Sequence, residues 1–256
     1  MTGARSEFMP QPERRRRARS FSTVAEEYES GRPGYPPDAI AWILGTEPLD
    51  VLDLGAGTGK LTATVAGAGH RVVAVEPLAE MREKLSESVP GALVLEGTAE
   101  DVPLQRASVD AVVVGAAFHW FDQERALIEC RRVLRRAGVL AMLGNSFDSA
   151  VAWQAELRRI LGPATLGRPG HWPEPERLLA SFEEVEDRAF PHSQPIDLPR
   201  LRDYASSRSG FAVMAESLRE KRLQEIDALW ERTFGTDELA EMRWVTRVRR
   251  CRGVRQ

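Results

Sequence analysis

The sequence predicts an α/β fold with one doubly wound sheet of seven strands, mostly parallel with an antiparallel edge pair, and a helical lid from the C-terminal half. Over residues 36–145, short apolar runs that end at or near glycine alternate with helical segments of about 10–15 residues. The first run enters a glycine-rich turn, and after Asn145 the alternation gives way to helical stretches and two strand-like segments. These observations are typical of βαβ units with right-handed crossovers, so the predicted architecture is Rossmann-like.

The first elements are indicated by prolines, glycines and apolar runs. Residues 36–45 place prolines in a first helical turn and a glycine at the end, which predicts a helix. Residues 49–55 and 70–77 are short apolar runs, typical of strands that are buried on both faces. A predicted helix follows each strand, over residues 58–67 and 78–88.

Three further strands complete the predicted parallel part of the sheet, over residues 92–97, 109–115 and 138–144. Between the last two, the apolar side chains of residues 123–138 recur at helical spacing. Arginines occupy the C-terminal end of this segment, where they favour the helix dipole. We therefore predict a helix there.

The C-terminal half is predicted to add two strands and a helical cover. The strand-like residues 183–190 and 242–251 are expected to complete the sheet as its antiparallel edge pair, with long helices between them. The predicted helices cover residues 151–161, 174–182, 198–206 and 211–234.

The composition excludes several classes of protein. Of the 256 residues 43% are hydrophobic and 29% are charged, with a net charge of −3, which is typical of a globular protein. Cys130 and Cys251 form no Cys-x-x-Cys pair, so neither a disulfide framework nor a cysteine zinc site is encoded, and we expect a cytoplasmic location. Residues 112–121, the longest nearly uncharged stretch, are far shorter than the about 20 residues that span a membrane. The sequence predicts neither a membrane-spanning segment nor a metal site.

The charge is unevenly distributed. Residues 1–20 hold six arginines against two glutamates, a net +4, which leaves −7 for the rest of the chain. A basic segment of this kind can contact nucleic acid or an anionic membrane, or it can be a solvated tail. We interpret it as a disordered tail and expect no nucleic-acid or membrane partner, because the body of the chain is acidic.

Residues 51–62 combine a strand end, a glycine-rich turn and a helix start, which brings backbone amides to a ligand at the carboxyl edge of the sheet. A phosphate-binding P-loop fails at two positions, because Leu54 replaces its first glycine and Leu61 its serine or threonine. A dinucleotide fingerprint lacks its third glycine, since Lys60 stands there, although Glu76 follows where a ribose-binding acid is expected. An NAD-dependent oxidoreductase therefore stays open as an alternative.

Asp53 distinguishes the remaining cofactor classes. A carboxylate directly before the glycine turn repels a pyrophosphate, whereas it favours a ligand that carries an ammonium and a sulfonium group. S-adenosylmethionine is such a cofactor.

Residues 21–145 resemble the class I S-adenosylmethionine-dependent methyltransferases, in particular the small-molecule branch with the type 11 methyltransferase domain. DLGAGTG (53–59) is similar to the first motif of that family, VVAVEP (72–77) to its acidic second motif and GTAEDVPL (97–104) to its third. SVDAVVVGAAFHWFD (108–122) resembles the fourth motif, and RVLRRAGVL (132–140) resembles the helix and strand that follow it.

The resemblance implies a set of cofactor-binding residues. In the family, the glycine loop wraps the methionine end of the cofactor, the acid of the second motif accepts hydrogen bonds from the ribose hydroxyls, and the third motif contacts adenine. The residue after the fourth strand provides a backbone contact near the reacting end. The implied residues are Tyr28, Arg32, Asp53, Gly55, Ala56, Gly57, Glu76, Pro77, Ala99, Glu100 and Ala116.

His119 and Trp120 follow the fourth predicted strand, where doubly wound sheets place reacting groups. His119 is a candidate general base, because its pKa lies near neutrality, or a residue that only orients the substrate. We favour orientation, since methyl transfer from a sulfonium depends mainly on positioning and a carboxylate acceptor needs no base. Trp120 either shapes the pocket or belongs to the core, and we assign it to the pocket.

Residues 21–36 resemble the N-terminal segment of a subfamily that includes trans-aconitate methyltransferase-like enzymes. Tyr28, Arg32 and Tyr35 match its pattern and either close as a flap over the ligands or fix the segment to the sheet. Residues 203–211 are similar to a serine-rich lid segment of the same subfamily, although helix capping also explains the serines.

The sequence thus predicts a methyltransferase that acts on a small molecule, with an oxygen acceptor, either carboxylate or hydroxyl. Besides the oxidoreductase, the alternative is a non-catalytic cofactor-binding relative. We divide the chain into the tail (residues 1–20), an S-adenosylmethionine-binding Rossmann-like core (21–146) and a helical lid with the last two strands of the same domain (147–256). No sequence pattern predicts the identity of the acceptor molecule or the oligomeric state.

Overall fold

The computed structural model describes residues 31–162, 172–212, 214–236 and 239–255. The strands are β1 (Asp50–Leu54), β2 (Arg71–Val75), β3 (Leu93–Leu95), β4 (Val109–Gly115), β5 (Leu134–Phe147), β6 (Phe182–Ile196) and β7 (Ala240–Val254). The helices are α1 (Pro37–Leu44), α2 (Lys60–Gly67), α3 (Ala79–Ser88), α4 (Gln123–Val133), α5 (Ala152–Leu161), α6 (Pro175–Leu179), α7 (Leu198–Ser206), α8 (Ser209–Ala212) and α9 (Glu216–Phe234), and Phe118–Trp120 form a 3-10 turn.

All seven strands belong to one sheet in the order β3-β2-β1-β4-β5-β7-β6. The strands β1 to β5 are parallel, and β7 inserts antiparallel between β5 and β6. The predicted fold class is therefore confirmed. Because the chain order reverses at β1, the β1 and β4 ends flank the crevice in which doubly wound folds bind ligands.

The helix predicted over residues 123–138 is shorter than expected. It ends at Val133, and the next residue, Leu134, already pairs with Val109 as the first residue of β5. Arg135 then contacts the carboxylates of Asp110 at 2.6 Å and Asp50 at 3.1 Å. The predicted end of the helix was wrong because Arg135 binds to carboxylates on other strands of the sheet, whereas Arg131 and Arg132 do lie in the last turn of the helix.

The C-terminal strands are longer than predicted, and two helices are shorter. The helix predicted over residues 174–182 ends at Leu179, since Phe182 begins β6 and is fully buried. Residues 211–234 were expected to form one helix, but α8 and α9 are separate elements. Predicted strands 183–190 and 242–251 extend at both ends because β6 and β7 pair along almost their whole length.

The core lies on both faces of the sheet and under the lid helices. On one face, α1 and α2 bury Ile40 and Val65 against the sheet, and on the other, α4 buries Leu127 and Cys130. A third cluster joins α5, α7 and α9 to aromatic residues of β5 and β7, among them Trp244. Within the described ranges, no helix combines the length and the apolar character that crossing a bilayer requires.

Candidate functional site

A cavity of about 580 Å³, open to solvent at its mouth, lies at the carboxyl edge of the sheet. Its wall follows the strand order: Asp53 and Gly55 at the end of β1, Ala116 after β4, Asn145 of β5 and Trp244 of β7. Trp244 reaches this edge because β7 runs antiparallel and pairs it with Phe147 of β5.

The glycine turn after β1 needs glycine for steric reasons. Gly55 has φ of 71°, and a Cβ there would lie 3.0 Å from side-chain carbons of both Ala117 and Phe121. Gly59 has φ of 93° and precedes α2, so the helix N-terminus opens directly from the turn. These left-handed residues let the backbone approach a ligand closely.

Asp53 is fully buried beside this turn. Its Oδ2 accepts a 2.6 Å hydrogen bond from the Thr62 hydroxyl, whereas its Oδ1 is buried with no hydrogen-bond partner. The pKa of Asp53 is raised to about 7, mainly by burial, which Thr62 opposes by hydrogen bonding and the nearby Glu76 carboxylate reinforces. A buried carboxylate oxygen without a partner is costly, so the site is suited to a ligand that supplies a donor or a positive charge.

The Thr58 hydroxyl is a second buried polar group of the cavity wall without a hydrogen-bond partner. It lies in the same turn as Asp53, at the end of β1. Buried polar groups are usually satisfied by protein or water. Two unsatisfied groups in one cavity wall therefore indicate a polar ligand at this end.

Glu76 holds the glycine turn from the end of β2. Its Oε2 accepts a 3.0 Å hydrogen bond from the Gly57 amide, and its Oε1 accepts one of 3.0 Å from Leu78. Burial raises its pKa against these two hydrogen bonds. The backbone carbonyls of Glu76 and Pro77 both accept from the Arg82 guanidinium. The segment after β2 is thus fixed, and a carboxylate keeps further acceptor capacity.

Ala99 and Glu100 lie in the turn between β3 and β4, outside the cavity wall. Ala99 is buried, and the Glu100 carboxylate accepts a 2.7 Å hydrogen bond from the Asp122 amide. Asp122 in turn caps α4 by accepting from the Arg125 amide. In this structure Glu100 therefore connects its turn to the start of α4 by a hydrogen bond. The adenine contact predicted for Ala99 and Glu100 stays a prediction.

Ala116 lies in the cavity wall with φ of 52°, the left-handed region that residues other than glycine rarely adopt. Its amide donates a 2.8 Å hydrogen bond to the Leu143 carbonyl, which holds this conformation. Residues with such strained backbone angles cluster at ligand-binding sites, where the surrounding structure holds them in place. The conformation of Ala116 is therefore typical of a residue whose backbone contacts a ligand.

Arg32 borders the cavity opposite the glycine turn and is fixed by the lid. Its Nε donates to the buried Ser207 hydroxyl at 3.0 Å, and its Nη2 donates to the Ser207 carbonyl at 2.9 Å. The guanidinium lies 5.6 Å from the centre of the Tyr204 ring. The segment is thus attached to the end of α7 and, through the hydrogen bond of 2.9 Å from Asn145 Nδ2 to the Gly34 carbonyl, also to β5 of the sheet. Tyr28, the other predicted residue of this segment, lies outside the described residues.

His119 and Trp120 do not line the cavity as the described residues form it. Both belong to the 3-10 turn after β4, with ring centroids 4.7 Å apart, and His119 is buried. The adjacent Phe118 and Phe121 enter the core and hold the turn in place. The catalytic or orienting role of His119 and the pocket role of Trp120 therefore stay predictions.

Nine residues of the cavity wall were not among the predicted cofactor-binding or catalytic residues: Pro33, Tyr35, Thr58, Lys60, Leu61, Gly115, Asn145, Tyr204 and Trp244. The sequence position of Asn145 could have indicated it as a site residue, because it directly follows the last predicted parallel strand. Tyr204 lies in residues 203–211, which are similar to a lid segment, and the packing of α7 brings it to the wall. Trp244 carried no signal, because only the antiparallel register of β7 brings it to this edge.

Comparison with known proteins agrees with this geometry. Residues 52–142 match the methyltransferase domain family model. A methyltransferase of Mycobacterium tuberculosis, named as uncharacterized, is 40% identical over 218 residues, which cover 84% of this chain and 87% of the relative. A second methyltransferase named as uncharacterized, from Schizosaccharomyces pombe, is 32% identical over a region that covers 86% of this chain and 92% of the relative.

A solved structure from Anaeromyxobacter dehalogenans, which carries the name of a type II methyltransferase, is similar over 86% of this chain and 97% of its own, with a TM-score of 0.66 and 26% identity. Its fold agrees with the seven-stranded sheet found here. The buried acid, the glycine turn and the full-length relatives lead to one conclusion: this chain belongs to the class I S-adenosylmethionine-dependent methyltransferases.

Proposed function

We propose that this chain transfers a methyl group from S-adenosylmethionine to an oxygen atom of a small molecule held in the cavity at the carboxyl edge of the sheet. The observation that carries the proposal is the chemical asymmetry of the wall. A buried acid with an unpaired oxygen, Asp53, lies at the β1 end, whereas the guanidinium of Arg32 lies at the lid end. One end thus suits a cation and the other an anion.

The residues at the β1 end fit the cofactor. The unpaired Oδ1 of Asp53 and the unpaired Thr58 hydroxyl are suited to the polar methionine end, and the positive-φ turn allows close backbone approach. Glu76 would accept hydrogen bonds from the ribose hydroxyls with its remaining lone pairs. When bound, S-adenosylmethionine supplies a methyl carbon activated by a sulfonium.

The lid end supports an ionised acceptor. The positive charge of Arg32 is held at the wall by two hydrogen bonds to Ser207, so it favours an anionic substrate. A carboxylate is ionised near pH 7 and needs no general base. This chain would then act by positioning the acceptor and excluding water.

The finer subfamily assignment belongs to the same proposal. We infer a trans-aconitate methyltransferase-like enzyme, and the placement of Arg32 and Tyr35 in the cavity wall supports it. The three-part division of the chain, with the lid and last two strands in the same domain as the core, is supported by the single seven-stranded sheet. A cytoplasmic location is supported by two buried free thiols, Cys130 and Cys251, whose pKa values burial raises to about 12.

The proposal is tested in two steps on the full chain. The melting temperature is measured with S-adenosylhomocysteine and with NAD, because a ligand stabilises the folded state by mass action. We expect a rise with S-adenosylhomocysteine alone. The protein is then incubated with S-adenosylmethionine carrying a deuterated methyl group and, in parallel, with small mono- and dicarboxylic acids or with amines of matching shape. Methyl esters and methylated amines are detected by mass spectrometry.

Labelled esters from at least one acid would support the oxygen acceptor. Stabilisation by S-adenosylhomocysteine combined with labelled product from amines alone would overturn the oxygen acceptor while leaving the cofactor in place. The absence of stabilisation by S-adenosylhomocysteine would overturn the proposed site as a whole.

A further inference from the structure

Trp244 presents a buried hydrogen-bond donor that the fold itself does not use. Its side chain is 1% exposed, it lines the cavity, and its Nε1 has no hydrogen-bond partner. An indole nitrogen is a donor only, and buried indoles usually find an acceptor. An indole donor without a partner, on a residue that lines a ligand cavity, therefore indicates that a ligand supplies the acceptor atom.

The indole is held rigidly in place. Its ring lies 5.2 Å from the Tyr204 ring and 6.1 Å from the Phe147 ring, both in edge-to-face arrangements. Its backbone pairs with Phe147 in the β5–β7 ladder. A donor fixed by packing on two sides and by strand pairing loses little conformational freedom when it binds a ligand.

Trp244 is remote from the end of the cavity that fits the cofactor. The strand order places β4 and β5 between β1, which carries Asp53, and β7, which carries Trp244. At a strand spacing of about 4.8 Å, the two strands are separated by roughly 14 Å. The unpaired acceptor of Asp53 thus lies at the end of the cavity that fits the cofactor. The unpaired donor of Trp244 lies at the other end, where the methyl acceptor would bind.

We propose that the Trp244 indole N–H is a specificity-determining donor that binds a carboxylate oxygen of the methyl acceptor. This inference rests on the proposed function and deepens it by naming the residue that selects the substrate class. The N–H edge of the indole has no favourable contact with an ammonium, so a ligand that meets this edge is disfavoured when it presents an amine of similar shape. The positive charge of Arg32 in the same wall acts in the same direction.

Asn145 and Thr246 give this part of the wall its fixed polarity. The Thr246 hydroxyl donates to Asn145 Oδ1 at 2.5 Å, and Asn145 Nδ2 donates to the Gly34 carbonyl at 2.9 Å. The amide oxygen of Asn145 is therefore already engaged by a protein donor. With these groups engaged, the Trp244 N–H is the buried polar side-chain atom of this part of the described wall that has no hydrogen-bond partner, and a carboxylate complements it better than an amine.

The experiment records the indole ¹H–¹⁵N resonances of the full-length protein saturated with S-adenosylhomocysteine. The chain has six tryptophans, and the Trp244 resonance is assigned by its loss in Trp244→Phe or, independently, by nuclear Overhauser contacts to Phe147 and Tyr204. Acetate, succinate and benzoate are titrated in, followed by the shape-matched amines ethylamine, 1,4-diaminobutane and benzylamine.

We expect at least one carboxylate to move the Trp244 resonance downfield in a saturable way and the amines to leave it unchanged. In Trp244→Phe the dissociation constant of that carboxylate should rise about tenfold or more, as expected for losing a hydrogen bond to a charged group. Trp153→Phe is the matched control, because Trp153 packs against Phe234 outside the cavity wall and should keep the wild-type constant.

A Trp244 resonance that no carboxylate moves would overturn the inference, as would equal shifts from the amines or an unchanged constant in folded Trp244→Phe. Binding of S-adenosylhomocysteine is measured separately by calorimetry. If it binds and the carboxylates have no effect, only this inference fails. If it does not bind, the proposed function fails first.

Discussion

Asp53 links the stability of the protein to ligand binding through one proton. Its pKa in the folded protein is raised from 3.8 to about 7, mainly by burial. Because folding favours the protonated form, this group stabilises the ligand-free protein most below its ordinary pKa, and that contribution is lost as the pH rises towards 7. A ligand cation has the opposite preference, since it pairs with the ionised form.

We therefore predict that the affinity for S-adenosylhomocysteine increases as the pH rises from 5.5 to 8, by at most about tenfold per pH unit below the pKa. Over the same range the ligand-free protein should lose stability relative to Asp53→Asn, by at most about 1.4 kcal/mol per pH unit. Calorimetry and urea unfolding at several pH values measure both effects. Equal pH profiles for the wild type and Asp53→Asn would contradict the assignment of Asp53.

His119 provides a second prediction at the residue scale. Because methyl transfer from a sulfonium depends mainly on positioning, we predict an orienting role for His119, which is buried in the turn after β4 and does not line the cavity as the described residues form it. His119→Gln should raise KM for the acceptor more than it lowers kcat. A loss of about 10²–10⁴-fold in kcat, together with disappearance of an inflection in the pH profile, would instead identify a general base.

Local sequence patterns indicate some residues near the cavity and give no indication of others. The positions of Asp53 and Glu76 could be predicted because both stand at the ends of buried strands beside a glycine turn, where local sequence fixes position. Asp53 lies in the cavity wall, whereas Glu76 binds the Gly57 amide outside it, and its cofactor contact stays a prediction. The position of Trp244 could not be predicted, since its place in the wall depends on the register of β7 against β5, more than 90 residues earlier in the chain. Long-range pairing of this kind leaves no local pattern around the tryptophan.

At the scale of elements, the contact between Arg32 and Ser207 attaches the segment before α1 to the end of α7. Ser207 is fully buried, accepts from Arg32 and donates to the Tyr204 carbonyl at 2.8 Å. Ser207→Ala removes both side-chain hydrogen bonds, so we expect a loss of about 1–3 kcal/mol in the free energy of unfolding. Urea unfolding measures this loss, with Ser206→Ala as the control from the same helix end.

The Ser207 variant also tests the interpretation of the segment as part of the site. If Arg32 is held in the cavity wall by Ser207, carboxylate binding should weaken together with stability, while binding of S-adenosylhomocysteine should change less. Wild-type stability and wild-type carboxylate binding in Ser207→Ala would show that the contact positions nothing.

Element boundaries show where sequence patterns lose information. The arginines around residue 135 suit a helix C-terminus by charge alone, yet Arg135 pairs with Asp50 and Asp110 on neighbouring strands. The helix dipole offers at most about 1 kcal/mol at an exposed site, and the parallel pairing of β4 with β5 outweighs it. The interior of α4 was predictable because its apolar residues are spaced for one buried face.

At the scale of the whole molecule, the parallel half of the sheet was predictable and the order of the last strands was only partly so. An edge pair was expected from two strand-like segments, and the structure places the later one, β7, inside and β6 at the edge among the described strands. The ion pairs between Arg249 and Asp187 and between Arg250 and Glu186 join the two strands. Such complementarity becomes visible only once the register is known.

The basic N-terminal region gives a prediction at this scale. Removal of residues 1–19 should leave the melting temperature and the affinity for S-adenosylhomocysteine within error of the full chain, because this region is too polar to contribute to a core. Differential scanning calorimetry and titration of the two forms measure this. A fall of several degrees on truncation would show that the region packs against the folded body.

We propose that Asp53 in the cavity wall and Glu76, which accepts from the Gly57 amide, together hold S-adenosylmethionine, and calorimetric titration with S-adenosylhomocysteine at pH 8 measures their contribution. Asp53→Ala and Glu76→Ala should each weaken binding by about 1–3 kcal/mol. Asp50→Asn, at the opposite end of the same strand, and Glu96→Gln, paired with Arg82 on the surface, should bind as the wild type does. Unchanged affinity in both the Asp53 and Glu76 variants would contradict the account.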